Sequence, residues 1–120
     1  MKYEFSPSKL KTKYEDEKYM KRKYGEAISE GMIMLFGVLD AAENAYDIKC
    51  NIFLFMEHKK GNLKDYYSLS LDKKKSKWRL LIQMLDEDGN VLLPTDNEKE
   101  FLKSIKRIRI KELSDHYGEY

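Results

Sequence analysis

The chain has 120 residues, 42% hydrophobic and 37% charged, and a formal net charge of +2. This size fits one domain, 1–120, around a single modest core, and the composition indicates neither disorder nor low complexity. Cys50 stands alone, so no internal disulfide forms, and His58 and His116 are too few to complete a zinc site with it. The opening residues lack the apolar segment of a signal peptide, and the run near Met32 to Leu39 is too short to span a bilayer. A soluble protein in a reducing cytoplasm is expected.

In chain order, Tyr3 and Phe5 alternate weakly in a short edge strand. Ser6-Pro7 reads as an N-cap with proline at the first helical position. The helical region that follows carries Leu10, Tyr14, Tyr19 or Met20, and Tyr24, is divided at Asp16, and ends at Gly25 in a left-handed cap. Ile28, Met32, Leu35, Phe36, Leu39 and Ala42 then recur at three and four residues, predicting an amphipathic helix from about Glu26 to Asn44. Ile52-Phe53-Leu54-Phe55-Met56 is an apolar run of strand length. Tyr67, Leu69 and Leu71 alternate with Ser68, Ser70 and Asp72, the period of a strand with one buried face. Trp78 to Leu85 predicts the next strand, and Asp88-Gly89 a tight turn. Thr95 and Glu98 form a capping box for a short helix. The last strand, Ser104 to Leu113, slips its alternation near Ile108, where a bulge is expected. The sum is an α+β domain with two N-terminal helices on one face of a four- or five-stranded, mainly antiparallel sheet, the other face being left for function.

From His58 to Arg79, eight lysines and arginines outweigh Asp65 and Asp72, so this window carries +6. Such a face suits an anionic partner, because phosphates neutralised there release counterions. The plainer alternative is a solvated hairpin whose lysines guard an edge, above all for Lys73, Lys74 and Lys75.

Several local stretches together resemble the RelE/ParE toxin superfamily, most closely its HigB-like branch. They are Lys23-Tyr24-Gly25, Leu39-Asp40-Ala41-Ala42-Glu43-Asn44, Lys60-Gly61-Asn62-Leu63-Lys64, Tyr67-Ser68-Leu69, Trp78-Arg79-Leu80 and Glu112-Leu113-Ser114-Asp115-His116-Tyr117. The resemblance implies a type II toxin: a ribosome-dependent endoribonuclease that cuts messenger in the A site and is restrained by an antitoxin that also binds operator DNA. It implies catalytic roles for Lys60, Arg79 and the Asp115, His116 and Tyr117 cluster. Two departures stand out: relatives place a histidine where this chain has Glu57, with His58 one step later, and their Asp-Tyr-His ending is here Asp115-His116-Tyr117.

Metal-free RNA cleavage needs a base for the 2′-hydroxyl, an acid for the departing 5′-oxygen and cations around the phosphorus. No cofactor is expected, since no cluster with metal-ligand spacing is present. His116 or His58 would handle the proton, His116 being favoured by its place in the terminal cluster. Arg79 offers a planar fork for phosphate, and Lys60 a point charge on a loop. Tyr117 either donates to the leaving oxygen or stacks on a base, and Asp115 orients a neighbour. Lys59, Lys64, Tyr66, Lys73, Lys74, Lys75 and Lys77 are the candidate RNA and ribosome contacts. Set against these are plainer roles: Arg79 in an ion pair, Trp78 in the core, His58 as a solvated turn residue. The competing function is a non-nuclease member of the same fold, a gyrase inhibitor or an antitoxin-bound co-repressor.

Overall fold

A computed structural model of the chain describes residues 1–115. Strand β1 (Lys2–Phe5) is followed by helices α1 (Leu10–Tyr14), α2 (Glu17–Tyr24), α3 (Glu26–Ala41) and α4 (Ala45–Lys49). Strands β2 (Glu57–His58), β3 (Tyr67–Leu69) and β4 (Arg79–Leu85), helix α5 (Glu98–Ser104) and strand β5 (Arg107–Ser114) complete it. The five strands form one sheet in the order β1-β5-β4-β3-β2, antiparallel except for the parallel pair β1 and β5. No helix among the described residues is long and apolar enough to cross a membrane.

The expected division at Asp16 is present, and its cause is local: the Asp16 carboxylate accepts from the Tyr19 N–H at 3.1 Å and caps α2. Gly25 ends α2 with φ +95° and ψ 166°, which is positive but outside the left-handed helical region, and the same residue opens α3. The α3 stripe buries Ile28, Met32, Leu35 and Leu39 in one cluster with Leu69, Leu80, Ile82, Met84, Ile108 and Ile110 of the sheet. Each such side chain contributes about 2 kcal/mol by leaving water. Gly31 lies where α3 crosses Leu71, so close that a Cβ there would collide with the Leu71 carbonyl.

Six local expectations are corrected. Ser6 donates its N–H to Ile110 at 3.0 Å, so the chain is still in the sheet there, and α1 starts at Leu10 rather than at Pro7. The amphipathic helix stops at Ala41, because Ala42 is extended and Asn44 caps a new helix through Tyr46 N–H. Ile52 to Met56 is no strand: the Asn51 side chain accepts from Phe53 N–H, and Phe55 takes φ +47°, which breaks the extended path. Around β3 both faces are closed, since Ser68, Ser70 and Asp72 are as buried as Tyr67 and Leu69. Helix α5 is capped by Asn97, whose side chain accepts from Glu100 N–H, while Thr95, two residues earlier, donates its hydroxyl to the Asn97 carbonyl.

The sixth correction concerns β5, whose first expected residues, from Ser104, belong to α5 and the segment after it. Ile108 and Ile110 alternate regularly, opposite Met84 and Ile82, so nothing slips at Ile108. The bulge lies further on: Leu80 pairs with Leu113 and Ile82 with Ile110, setting Lys111 and Glu112 against the single residue Leu81. Beyond it, Leu113 N–H donates to the buried Tyr14 hydroxyl at 2.8 Å, so α1 supplies an acceptor at the end of the strand.

Two substitutions test this framework by urea unfolding. Tyr14→Phe leaves the Leu113 N–H buried without its acceptor and is expected to cost about 1–3 kcal/mol. Gly31→Ala improves helix propensity by about 1 kcal/mol, yet it is expected to destabilise the protein by roughly 1–3 kcal/mol through overpacking against Leu71; a stabilised variant would disprove the close crossing.

Candidate functional site

Strand pairing sorts the sheet residues into two faces. His58, Tyr67 and Ile82 occupy successive paired positions on the face that joins the core, whereas Glu57, Ser68 and Leu81 occupy the other. The one-residue displacement of the histidine therefore moves it to the opposite face, as its position one step beyond Glu57 suggests. Its Nε2 lies 2.7 Å from the Lys64 carbonyl and, since that oxygen can only accept, donates to it. The ring tilts against Tyr67, 5.0 Å away. His58 thereby ties the loop that starts at Lys59 back onto β2.

Arg79 opens β4 on the other face and stands across from Ser114, with Asp115 following directly. Its Nη1 donates to the Ser76 carbonyl at 2.7 Å and to the Trp78 carbonyl at 2.8 Å, which orients the guanidinium along the approach to the strand. Trp78 itself packs against the core and meets Tyr24 edge-on at 4.9 Å. His116 and Tyr117 lie outside the described residues.

The basic window is not one surface. Its first part precedes β3 and its second follows β3, so the two lie at opposite ends of that short strand. In the first, Lys59 N–H donates to the Tyr66 carbonyl at 3.0 Å, and the Lys59 side chain, only 16% exposed, pairs its ammonium with Glu57 at 3.5 Å. Lys60 is exposed and extended at the entrance to a single turn over Gly61–Leu63, where Gly61 takes φ +64°. Lys64 is exposed and Tyr66 half-buried. Continuing the β2 to β4 register brings Lys59 level with Gln83, four residues along and two strands across from Arg79. Their Cα atoms are then about 16 Å apart.

In the second part, Lys73 and Lys74 both have left-handed backbones, φ +57° and +62°. The buried Ser70 and Asp72 hold this turn: the Ser70 hydroxyl accepts from Lys74 N–H at 2.7 Å and donates to Asp72, whose carbonyl accepts from Lys75 N–H. The ammonium groups of Lys73 and Lys74 lie over the Phe53 and Phe55 rings, at 5.0 and 5.1 Å. Lys75 and Lys77 are exposed beside them. Ile52, at 72% exposure, Phe53, Phe55 and Met34 are exposed large hydrophobic side chains.

The face that carries Arg79 is less open than the alternation suggests. Its central residues Ser68, Leu81, Gln83 and Leu85 are buried, so only its rim is accessible. Beyond the start of β3, the chain returning from the Asp88-Gly89 turn takes its place along β4: Leu92 N–H donates to the Met84 carbonyl, and Val91 bridges Leu85.

One ionic cluster on this face was not anticipated. Glu4 accepts from Arg107 Nε and Nη2 at 3.0 and 2.7 Å, and its second oxygen lies 3.5 Å from Arg109. Arg109 also donates to Gln83 and to the Gly89 carbonyl. The sequence hides it because it needs the parallel pairing of β1 with β5, which joins the two ends of the chain. A cleft of about 1100 Å³ beside it is lined by Lys2, Lys103 and Arg107 but also by Glu43, Glu87 and Asp88, so its charges offset one another. The Tyr67 hydroxyl is a further oddity, buried with no hydrogen-bond partner, and burial pushes its pKa up. Among the described residues, no three His, Cys, Asp or Glu side chains gather as a metal site would require.

Compared with known proteins, the chain matches no family model, no curated protein and no solved structure.

The Arg107 hydrogen bonds hold the Glu4 carboxyl below its ordinary pKa, against a smaller opposing effect of burial. A depressed carboxylate contributes stability that is complete above its unfolded pKa, about 4.3, and is lost as pH falls through the lower folded value. Glu4→Gln is accordingly expected to lower stability at neutral pH and to change it little below the folded pKa, so the acid limb of stability against pH flattens. Thermal unfolding of both proteins between pH 2 and pH 7 gives the comparison, and parallel acid limbs would count against the clamp.

Proposed function

We propose that the chain is a type II toxin of RelE-like fold, its N-terminal helices packed on one sheet face, acting in the cytoplasm as a ribosome-dependent messenger endoribonuclease. The observation that carries this is the β4 to β5 register, which sets Arg79 opposite Ser114 and beside Asp115. A guanidinium already bonded to its own loop loses little freedom when it meets a phosphate, and its planar fork suits two phosphate oxygens. In this scheme Arg79 stabilises the charge that develops on the scissile phosphate. Lys60, exposed at the loop further along the same sheet, holds a flanking phosphate of the strand. His116 and Tyr117, next in the chain after Asp115, supply the proton transfers, and the chemistry uses no metal. A cognate antitoxin, expected to carry a helix-turn-helix, restrains the enzyme and brings it to operator DNA.

A second function, binding without cleavage as a gyrase inhibitor or co-repressor of the same fold, is favoured by one feature. The His58 Nε2 proton is committed to the Lys64 carbonyl, so this imidazole acts first as a loop clasp. Mapping messenger 5′ ends after controlled expression separates the two: codon-phased cuts support the nuclease, and gyrase-dependent DNA damage without cuts supports the binder.

Arg79→Ala is expected to abolish growth arrest and lower cleavage roughly a hundredfold, with antitoxin binding retained. Because Arg79 also bonds the Ser76 and Trp78 carbonyls, thermal unfolding of the variant is measured alongside. A folded variant that still arrested growth would remove Arg79 from the site.

A further inference from the structure

A second cationic surface lies outside the β2 to β4 loops. Between Lys9 and Lys23, seven lysines and arginines face three carboxylates, a net +4. Lys21 pairs with Glu17 at 2.9 Å, as an exposed helix ordinarily arranges its charges. Lys13 and Lys23 are placed differently: their ammonium groups stand 5.8 and 5.7 Å from the centre of the Tyr19 ring, and Lys23 is also 5.7 Å from that of Tyr24. The Asp16 cap makes this possible, since it folds the end of α1 back toward the first turn of α2 and brings Lys13 to a residue six positions later.

This cluster leads to the Arg79 corner without a gap. Lys23 bridges the rings of Tyr19 and Tyr24, Tyr24 meets Trp78 at 4.9 Å, and the Trp78 carbonyl accepts from Arg79. Tyr19, Tyr24, Trp78 and Arg79 are all half-exposed. A purely electrostatic patch needs no aromatic planes, and a membrane or an apolar protein groove would need exposed aliphatic side chains. The large exposed hydrophobics are elsewhere, at Ile33, Met34, Ile52, Phe53, Phe55 and Leu93. Half-exposed rings between ammonium groups match a ligand that alternates flat bases with phosphates.

We propose that Tyr19, flanked by Lys13 and Lys23, is a base-stacking platform for single-stranded RNA that fixes the strand as it enters the Arg79 corner. The platform deepens the nuclease function and rests on it only for its purpose, because binding is measurable without cleavage. The test is fluorescence anisotropy of a labelled 12-nucleotide oligouridylate with the full chain over a salt series. Tyr19→Ala is expected to weaken binding about tenfold or more, and Tyr19→Phe to keep it within about twofold, as stacking requires. Lys13→Ala with Lys23→Ala, both at exposed positions, is expected to reduce the salt dependence by about 1.4 in log–log slope. The platform is overturned if these folded variants bind as the wild type does, if the wild type does not bind, or if oligoglutamate of equal charge competes as well as RNA. Tyr19-dependent binding in a protein that makes no cuts would leave the platform standing and end the nuclease proposal. Messenger cleavage that is indifferent to Tyr19 and both lysines, with unchanged anisotropy, would do the reverse.

Discussion

The pairing of β4 with β5 is the constraint on which the rest depends. Leu80, Ile82 and Met84 face Leu113, Ile110 and Ile108 across the middle of the sheet, and α3 lays Met32, Leu35 and Leu39 into the same cluster. Sliding one strand by a single residue would turn these apolar side chains to the opposite face, so the register is held by burial itself. The extra residue at Lys111 and Glu112 is tolerated because it falls where a helix supplies the lost acceptor, at the Tyr14 hydroxyl. Helix, bulge and strand end are thus a single arrangement.

From that arrangement follows the position of Arg79. It is the first residue of β4 and therefore lies beside the last residues of β5, where the chain continues toward His116 and Tyr117. Its guanidinium is oriented by two carbonyls from the preceding loop, so the order of the strand start is passed to the side chain. The loop lysines are placed by other means. Lys59 is drawn to Glu57, and Lys73 and Lys74 are lifted over phenylalanine rings by a turn that Ser70 and Asp72 hold from inside. A window that is uniformly basic in sequence is thereby split among a strand edge, an apolar patch and a sheet corner.

Buried polar groups explain most of the places where local pattern and tertiary position disagree. Ser68, Ser70 and Asp72 read as the solvent face of an alternating strand, yet all three are enclosed. Two of them have local partners that make enclosure affordable: Ser70 accepts from Lys74, and the Asp72 backbone turns the chain at Lys75. The apolar run at Ile52 to Met56 errs in the other direction. A short side chain, Asn51, offers the backbone a competing partner, and Ile52, Phe53 and Phe55 are left at the surface.

What local chemistry dictates was legible in the sequence: the division at Asp16, the apolar stripe of α3, the Asp88-Gly89 turn, the strand at β4, and the mixed α+β class. Each depends on residues within a turn or two of one another, where period and capping act directly. The basic character of the loops was visible for the same reason. Only the tertiary structure decided that β1 lies parallel to β5, that Glu4 holds Arg107 and Arg109, that Tyr14 serves a strand end 99 residues away, and that Lys13, Tyr19 and Lys23 meet beside Tyr24 and Trp78. Those relations are set by which strands pair and in which register, an outcome of burying the whole core at once that no short window of residues contains.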